Sequence, residues 1–237
     1  MSEAETKSTY SKTALINAAS LGAFAIVAAL VLGLIYVGTK DRIEASIVLA
    51  EQKALLAVIG DNALDNDLLN DTLTLNTNEQ DILNEGESSK IYVVRHKGKT
   101  TGFIFPATAP DGYSGDISMI VGVSTEGSLF GVRVIEHKET PGLGDKIDAK
   151  KSDWIEDFAG KSLSNPSIER WAVTKDGGDF DAFTGATITP RSTVNRVKSV
   201  LEYFEESREA LLMRAERQSE SSLTELSLAT PASGNSE

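Results

Sequence analysis

The chain has 237 residues, a hydrophobic content of 41% and a formal net charge of −12. This length is enough for a membrane anchor followed by one domain of ordinary size. The negative charge argues against nucleic-acid binding and against a polybasic membrane-surface protein, because both classes need a basic face. The sequence has no cysteine and only two histidines. This excludes disulfides and cysteine-bound zinc or iron–sulfur clusters, and it argues against a multi-histidine metal site.

The first predicted element is a long apolar helix. Residues Ala14–Val37 carry no charge, and at 1.5 Å per residue they would span roughly 36 Å, enough to cross a bilayer with some tilt. Core helices of soluble proteins are seldom this long without a charge. A cleaved signal peptide has a shorter apolar region that ends at a small-residue cleavage site. We therefore interpret the segment as an uncleaved membrane anchor.

The charges that flank this anchor do not fix its orientation. Lys7 and Lys12 precede the span, and Lys40 and Arg42 follow it, so the count of nearby basic residues is balanced. A short N-terminal tail in front of a large domain favours an internal N-terminus, because long domains can be exported regardless of their charge.

A helical lead-in and an acidic segment follow the anchor. Apolar residues recur on a loose helical period between Asp41 and Ile59, which predicts a continuing helix. Residues 60–89 are rich in Asp, Asn, Glu and Thr. We predict a loop-rich insertion there, with short elements at most.

Two β-hairpins are predicted next. The first, IYVVRHKGKTTGFIFP, turns at His96–Lys99, and the second, DISMIVGVSTEGSLFGVRVIEH, turns at Thr125–Gly127. The segment SDWIEDFAGK then resembles a short amphipathic helix closed by Gly160. A long helix with an apolar stripe is predicted over Pro190–Met213. The Ser-, Glu- and Thr-rich residues Glu216–Glu237 are predicted to be disordered.

The segment Asp181–Ser192, DAFTGATITPRS, combines a helix start with several hydroxyls. Thr189 can cap the helix, and Pro190 suits its first turn. Gly185 permits unusual backbone dihedrals. Free N–H groups and the helix dipole at such a terminus attract anions. The residues alone leave open a plain helix cap and a phosphate site, covalent or noncovalent, but no Walker loop is present.

Three other segments are weaker candidates. In HKETPGLGDKI, Pro141 and two glycines predict a compact turn that a flat ligand could approach, although a simple loop after a strand is the plainer interpretation of these residues alone. His137 is interpreted as structural. Tyr113, in APDGYSGDI, could contact an aromatic ligand, but a plain turn is the simpler interpretation. The aspartates of KDGGDFD lack the full calcium-loop signature. We predict neither a metal site nor a catalytic residue.

Several uncommon strings recur in one order behind the anchor, namely DGYSG, HKETPGLGDKI, SDW, WAVTKDGGDFD and TGATITPR. Together they resemble the FMN-binding G subunit of the Rnf electron-transport complex, also called Rsx. The resemblance covers about residues 91–196 and extends to the anchor. The acidic insertion and the Ser-rich tail lie outside it.

The resemblance implies FMN that is joined through its phosphate to a threonine hydroxyl. The family pattern is Asp-x-x-Ser/Thr-Gly-Ala-Ser/Thr, and its last residue accepts the FMN. The matching residues are Asp181, Thr184, Gly185, Ala186 and Thr187, so Thr187 is the predicted acceptor. In this family a separate flavin transferase installs the group from FAD with a divalent metal. The turn before it becomes a candidate wall for the flavin ring, formed by Glu139, Thr140, Gly142, Leu143 and Gly144.

The implied fold is α+β, with a single N-terminal transmembrane helix followed by an FMN-binding domain that has an antiparallel sheet and packed helices. The implied location is the bacterial inner membrane, with the N-terminus inside and the flavin domain on the periplasmic side. The predicted divisions are residues 1–13 as a cytoplasmic tail, 14–37 as the transmembrane helix, 38–89 as the lead-in and acidic insertion, 90–213 as the FMN-binding domain, and 214–237 as a disordered tail.

The implied role is a one-electron relay in a redox-driven translocase. The complex couples electron transfer between ferredoxin and NAD to ion movement, and its other subunits include membrane and iron–sulfur proteins. We do not expect this chain to bind NAD, because no GxGxxG follows a strand. Two alternatives remain: the C subunit of the sodium-translocating NADH:quinone oxidoreductase, which shares the flavinylation pattern and the anchor, and an anchored module that binds an anionic ligand without redox chemistry.

Overall fold

The computed structural model describes residues 3–60 and 64–229. The chain divides into two compact units, Met1–Glu51 and Gln52–Glu237. Its helices and strands are α1 (Glu3–Ile59), β1 (Thr72–Thr74), α2 (Thr77–Leu83), β2 (Lys90–His96), β3 (Lys99–Ala109), β4 (Ile117–Ser124), β5 (Leu129–Glu136) and α3 (Ile188–Ala229). Four short 3₁₀ helices lie between β5 and α3, at Asp145–Ile147, Asp153–Phe158, Ile168–Arg170 and Thr174–Asp176.

The described part of the first unit is helical and contains the apolar segment of α1. Residues Ser20–Lys40 are long and apolar enough to cross a membrane. Large apolar side chains such as Phe24 and Leu34 are exposed there, as expected for a helix that is covered by lipid. The predicted anchor, Ala14–Val37, overlaps this segment.

The second unit is built on one antiparallel sheet in which the strands are neighbours in sequence order, β1-β2-β3-β4-β5. Both predicted hairpins are present. The first turns at Lys97 and Gly98, whose φ angles of 54° and 71° suit a tight hairpin. Strand β1 and helix α2 come from the acidic segment, so this segment adds an edge strand that the sequence pattern did not predict.

The sheet is buried on both faces, which is why its strands contain few polar side chains. One face carries Val93, Phe103 and Phe105 and packs against α3 and the 3₁₀ helices. The other face packs against the last turns of α1, with a cluster that consists of Leu55, Val58, Ile59, Leu68, Val94, Ile104 and Ile120.

Two glycines allow the end of α1 to lie close to the sheet. A Cβ on Gly122 would lie 2.4 Å from Val58 Cγ1, and one on Gly131 would lie 2.9 Å from the Val58 carbonyl oxygen. The last turns of α1, from Gln52 onward, therefore belong to the folded core of the second unit.

Helix α3 is longer than the sequence pattern predicted. It continues past Met213 to Ala229, so residues 214–229, predicted as part of a disordered tail, are helical. The extension is held by fully buried Ala215 and by Arg214, which pairs with buried Glu79 and donates to the Thr74 carbonyl. Residues 230–237 of the predicted tail lie outside the described part of the chain.

Candidate functional site

The residue predicted to carry the flavin lies directly before α3. The Thr187 carbonyl accepts a 3.2 Å hydrogen bond from the Arg191 N–H, so Thr187 itself begins the first helical turn. Thr187 is half-buried, and its side-chain hydroxyl accepts a solvent-exposed 2.6 Å hydrogen bond from Lys175 Nζ. Thr187 is therefore a partly accessible hydroxyl at the N-terminus of a long helix, next to a lysine ammonium group.

The structure corrects the predicted role of Thr189. This residue is not the helix cap: it lies inside the first turn of α3, is fully buried, and donates a 2.6 Å hydrogen bond to Glu139 Oε2. The Thr-Pro pair suggests a cap in the sequence, but the hydroxyl is directed toward a distant carboxylate. Pro190 does lie in the first turn, where its missing N–H costs nothing.

Glu139 joins three of the motifs that the sequence singled out. Its side chain is 4% exposed, and its Oε1 accepts a 3.0 Å hydrogen bond from the Ser114 N–H while its Oε2 accepts from Thr189. A second link is made by Ser192 of α3, which donates to Asp111 at 2.7 Å. The turn containing DGYSG, the turn after β5 and the start of α3 are thus brought together around one buried carboxylate.

The turn after β5 is compact and open on one side. The Thr140 carbonyl accepts hydrogen bonds from the N–H groups of Leu143 and Gly144, both at 3.1 Å. The Asp145 carboxylate accepts from the Gly142 N–H at 2.8 Å. Thr140, Gly142 and Leu143 are exposed. The turn therefore presents backbone and an apolar side chain to a ligand, while the N–H groups of Gly142, Leu143 and Gly144 are bonded within it.

This turn and the segment before Thr187 are neighbours. Gly185 has a φ of +83°, and a Cβ placed on it would lie 3.6 Å from Leu143 Cδ2. A positive φ favours glycine. The predicted acceptor motif and the predicted ring wall are therefore adjacent in space, although more than forty residues separate them in the sequence.

The segment before Thr187 is held by an aromatic contact. The Trp154 indole N–H donates a 2.9 Å hydrogen bond to the Asp181 carbonyl, and its ring centroid lies 5.0 Å from that of Phe183. The Ala186 N–H closes the turn onto the Phe183 carbonyl at 3.2 Å. The Asp181 and Thr184 side chains are exposed. In the sequence, Trp154 stands out only as part of the string SDW, and no local pattern predicts this contact.

Two charged side chains near Thr187, Lys175 and Arg191, donate hydrogen bonds to side chains of this region. Lys175 donates to Thr187, and both carboxylate oxygens of the next residue, Asp176, accept from Arg191 at 2.6 and 2.8 Å. The hydrogen bond from Arg191 lowers the pKa of Asp176 below its usual value. Asp179 pairs instead with Arg170. Two of the three aspartates of KDGGDFD, Asp176 and Asp179, are thus bonded to arginines, and no cluster of metal-binding side chains is found among the described residues.

The residues present fit FMN. A phosphate is suited by the hydroxyl, the helix N-terminus and the ammonium group around Thr187. A flat ring is suited by the turn Thr140–Gly144, because no heavy atom lies within 4 Å of the position that a Cβ on Gly142 would take, which leaves that face open. His137 bonds to the start of this turn, where its Nδ1 accepts from the Glu139 N–H at 3.1 Å.

Comparison with known proteins agrees with this fit. The family model described as FMN-binding domain matches residues 112–202, and the one described as RnfG N-terminal region matches residues 1–58. The chain is 44% identical over 201 residues to the G subunit of the ion-translocating oxidoreductase complex of Pseudomonas aeruginosa, covering 85% of this chain and 93% of the relative. The protein of the same name from Pseudoalteromonas atlantica is 41% identical, with 82% and 90% covered.

Among solved structures, the chain is similar to the crystal structure of Shewanella oneidensis NqrC, with 26% identity and a TM-score of 0.43 over 59% of this chain and 68% of that one. With this TM-score, the structural likeness assigns no role to the chain. The two G subunits are more than 40% identical to this chain, and the match covers 90% or more of their own length. The chain therefore belongs to the family of ion-translocating oxidoreductase complex G subunits, and it contains an FMN-binding domain.

Proposed function

We propose that this chain is the membrane-anchored flavoprotein subunit of a redox-driven, ion-translocating oxidoreductase complex, and that its FMN is joined by a phosphoester to Thr187. The observation that carries the proposal is the position of the Thr187 hydroxyl, partly accessible before α3 and paired with Lys175. Family membership and the FMN-binding domain support the redox role.

The chain's own residues would hold and orient the cofactor. When bound, FMN supplies the redox chemistry, and the protein supplies position and electrostatics. Thr187 would carry the phosphate at a helix N-terminus, where N–H groups and the helix dipole favour negative charge. Thr140, Gly142, Leu143 and Gly144 would contact the ring. Glu139 would hold that turn against α3 through its bond to Thr189.

The remaining residues of the acceptor pattern would serve its recognition. Asp181, Thr184, Gly185 and Ala186 precede Thr187 in the order that the family pattern requires. The exposed side chains of Asp181 and Thr184 are available to a flavin transferase, which would deliver the group from FAD. A covalent bond keeps the cofactor in place outside the cytoplasm, where free FMN would otherwise be lost by dissociation.

We further propose the bacterial inner membrane as the location, with the N-terminus inside and the flavin domain on the periplasmic side. In that position the chain would pass single electrons between redox centres of membrane and iron–sulfur subunits. The complex would couple electron transfer between ferredoxin and NAD to ion movement. The Ser20–Lys40 segment supports an anchor of this kind.

Intact mass of the full chain, expressed with and without a flavin transferase, tests the covalent attachment. We expect an increment of one FMN that maps to the peptide containing Thr187, and a fluorescent band that survives denaturation. Thr187→Ala should abolish the band, whereas Thr184→Ser, which keeps the family pattern, should retain it. A band that persists in Thr187→Ala would contradict the acceptor assignment. Yellow protein that turns colourless on denaturation would indicate reversible binding instead.

The chain's lack of cysteine provides a direct test of orientation. A single cysteine at Ser88, an exposed position, should react with a membrane-impermeant maleimide in intact spheroplasts. A single cysteine at Ser2 should react only after lysis. The reverse pattern of labelling would place the flavin domain in the cytoplasm.

A further inference from the structure

We propose that Lys175 is the cation that binds the phosphate carried by Thr187 and assists its attachment, an inference that rests on the proposed function. Lys175 Nζ lies 2.6 Å from Thr187 Oγ1 and reaches it from a separate turn, twelve residues earlier in the chain. The family pattern around Thr187 does not include this lysine, and its position depends on the fold of the segment before the pattern.

The turn that carries Lys175 is braced by its own backbone. Gly178 has no room for a side chain, since a Cβ there would lie 1.8 Å from the Ala172 carbonyl oxygen. The Thr174 N–H donates to the Phe180 carbonyl at 2.7 Å, and the Asp179 N–H donates to the Arg170 carbonyl at 3.0 Å. The turn therefore holds a fixed shape and presents Lys175 from a defined place.

The residue that follows Lys175 attaches this turn to α3. Asp176 accepts two hydrogen bonds from Arg191, at 2.6 and 2.8 Å, and the Arg191 N–H donates to the Thr187 carbonyl. Arg191 thus fixes the turn and the acceptor residue relative to each other. Because Asp176 is bonded to Arg191, Lys175 remains directed at the hydroxyl.

An ammonium group in this position suits both the reaction and its product. Lysine has three donors and no acceptor, so the group that bonds to Thr187 Oγ1 has further N–H groups for phosphate oxygens. In the attachment step the Thr187 oxygen forms a bond to the FMN-side phosphorus of FAD. The pyrophosphate bond breaks, AMP leaves with its electron pair, and the hydroxyl proton passes to water or to a base of the transferase.

Negative charge develops on the Thr187 oxygen and on the phosphoryl oxygens during this step. A positioned cation stabilises that charge. After the step, the linkage is a phosphodiester with one negative charge, and Lys175 neutralises it next to the helix N-terminus. The lysine would thus act on the rate of attachment and would remain a ligand of the bound cofactor.

The test measures flavin transfer to the purified full chain in detergent, with the transferase, FAD and Mg²⁺. The rate is followed by fluorescence on denaturing gels, and kcat and KM for the acceptor chain are determined separately. We expect Lys175→Met to lower kcat by about tenfold or more, the effect of losing a charge-assisted hydrogen bond. Lys175→Arg, which keeps the cation, should stay within about threefold of the unsubstituted chain.

Lys146→Met is the matched control. Lys146 is an exposed lysine in the 3₁₀ helix Asp145–Ile147 whose Nζ lies 5.9 Å from the Phe183 ring centroid. It has no hydrogen bond to Thr187 among those of the described residues, and the kcat of the Lys146→Met chain should be unchanged. Because Lys175 is exposed, the melting temperature of Lys175→Met should match that of the unsubstituted chain.

The outcomes separate this inference from the proposed function. If the unsubstituted chain is not labelled, covalent attachment itself fails and the inference fails with it. If the unsubstituted chain is labelled and Lys175→Met has the same kcat, the inference alone is overturned. A rise in KM at constant kcat would also overturn it, since the lysine would then serve only to dock the transferase.

Discussion

The Thr189 hydroxyl donates a 2.6 Å hydrogen bond to Glu139, fifty residues earlier in the chain, and both side chains are buried. This bond joins the turn after β5 to the first turn of α3. The other oxygen of Glu139 accepts from the Ser114 N–H. One carboxylate therefore fixes the relative positions of the predicted flavin-ring wall and the predicted attachment residue.

Thr189→Val keeps the shape of this side chain and removes its hydroxyl. Glu139 Oε2 would then lose its buried donor, so we expect the free energy of unfolding to fall by about 1–3 kcal/mol. Urea denaturation followed by circular dichroism measures this change. Thr77→Val, at an exposed position in the first turn of α2, is the matched control and should change stability by less than about 0.5 kcal/mol. Equal losses in both variants would contradict the role given to Thr189.

Gly144→Ala should disrupt the hydrogen-bonded contact between Glu139 and Thr189 from within the turn after β5. A Cβ at this position would lie 2.7 Å from Glu139 Oε2 and 2.8 Å from Thr189 Oγ1, and both of these side chains are buried and bonded to each other. We expect a loss of about 1–3 kcal/mol in stability and a slower attachment of flavin to Thr187. Gly86→Ala has no atom within 4 Å of the added carbon and should be neutral. Normal flavin loading in Gly144→Ala would show that this contact does not position the site.

The sequence predicted what is local in this fold. Apolar, β-branched strands and the turns at Lys97-Gly98 and Thr125–Gly127 were enough to predict the two hairpins, because strand propensity and turn chemistry are properties of adjacent residues. The order of the motifs identified the FMN-binding domain. That assignment also implied that the ring wall and the attachment segment are neighbours, because both must contact the same ligand. It did not predict that Leu143 and Gly185 are the residues that meet.

Contacts across long separations could not be predicted in this way. A threonine before proline has the same local pattern whether it caps a helix or, like Thr189, bonds to a distant glutamate. The polar residues after Met213 suggested disorder, but Arg214 and Ala215 are stabilised by partners in other elements. Lys175 reaches Thr187 from a turn shaped by Gly177, with a φ of 88°, and by Gly178, which has no room for a side chain, and spacing alone does not encode that geometry.

The two tryptophans offer a paired test of how the attachment segment is held. The Trp154 indole N–H donates to the Asp181 carbonyl at 2.9 Å, and that of Trp171 donates to the Ser162 carbonyl at 2.9 Å. Changing either tryptophan to phenylalanine should cost more than the roughly 1 kcal/mol of one hydrogen bond, because the smaller ring also leaves a cavity in the core. Only Trp154→Phe should also slow flavin attachment, measured by gel fluorescence under saturating FAD. Equal slowing in both variants would assign the effect to general destabilisation.

The raised pKa of the Tyr203 phenol predicts that the chain loses stability at alkaline pH. Burial, followed by the 2.6 Å hydrogen bond to Glu79, raises the pKa of Tyr203 above its ordinary value of 10.0. A raised folded-state pKa contributes stability that is fully present below pH 10 and is lost as the pH rises through the folded-state pKa.

Tyr203→Phe measures this contribution. At pH 7 to 9 the variant should be less stable than the unsubstituted chain by about 1–3 kcal/mol, and the difference should shrink as the pH rises above 10. Tyr113→Phe, at an exposed position, should show no difference at any of these pH values. Urea denaturation at several pH values provides the data. A difference that stays constant above pH 10 would contradict the assignment to the phenol.

The end of α1 should be required for the soluble domain, although the apolar part of that helix is not. Leu55, Val58 and Ile59 are almost fully buried against the sheet. A fragment that begins at Gln52 keeps all three and should be recovered from the soluble fraction with cooperative unfolding. A fragment that begins after Gly60 loses them and exposes the sheet face, at about 1.5–3 kcal/mol for each buried side chain. It should unfold at a much lower urea concentration or aggregate, and equal stability of the two fragments would show that α1 is not part of the core.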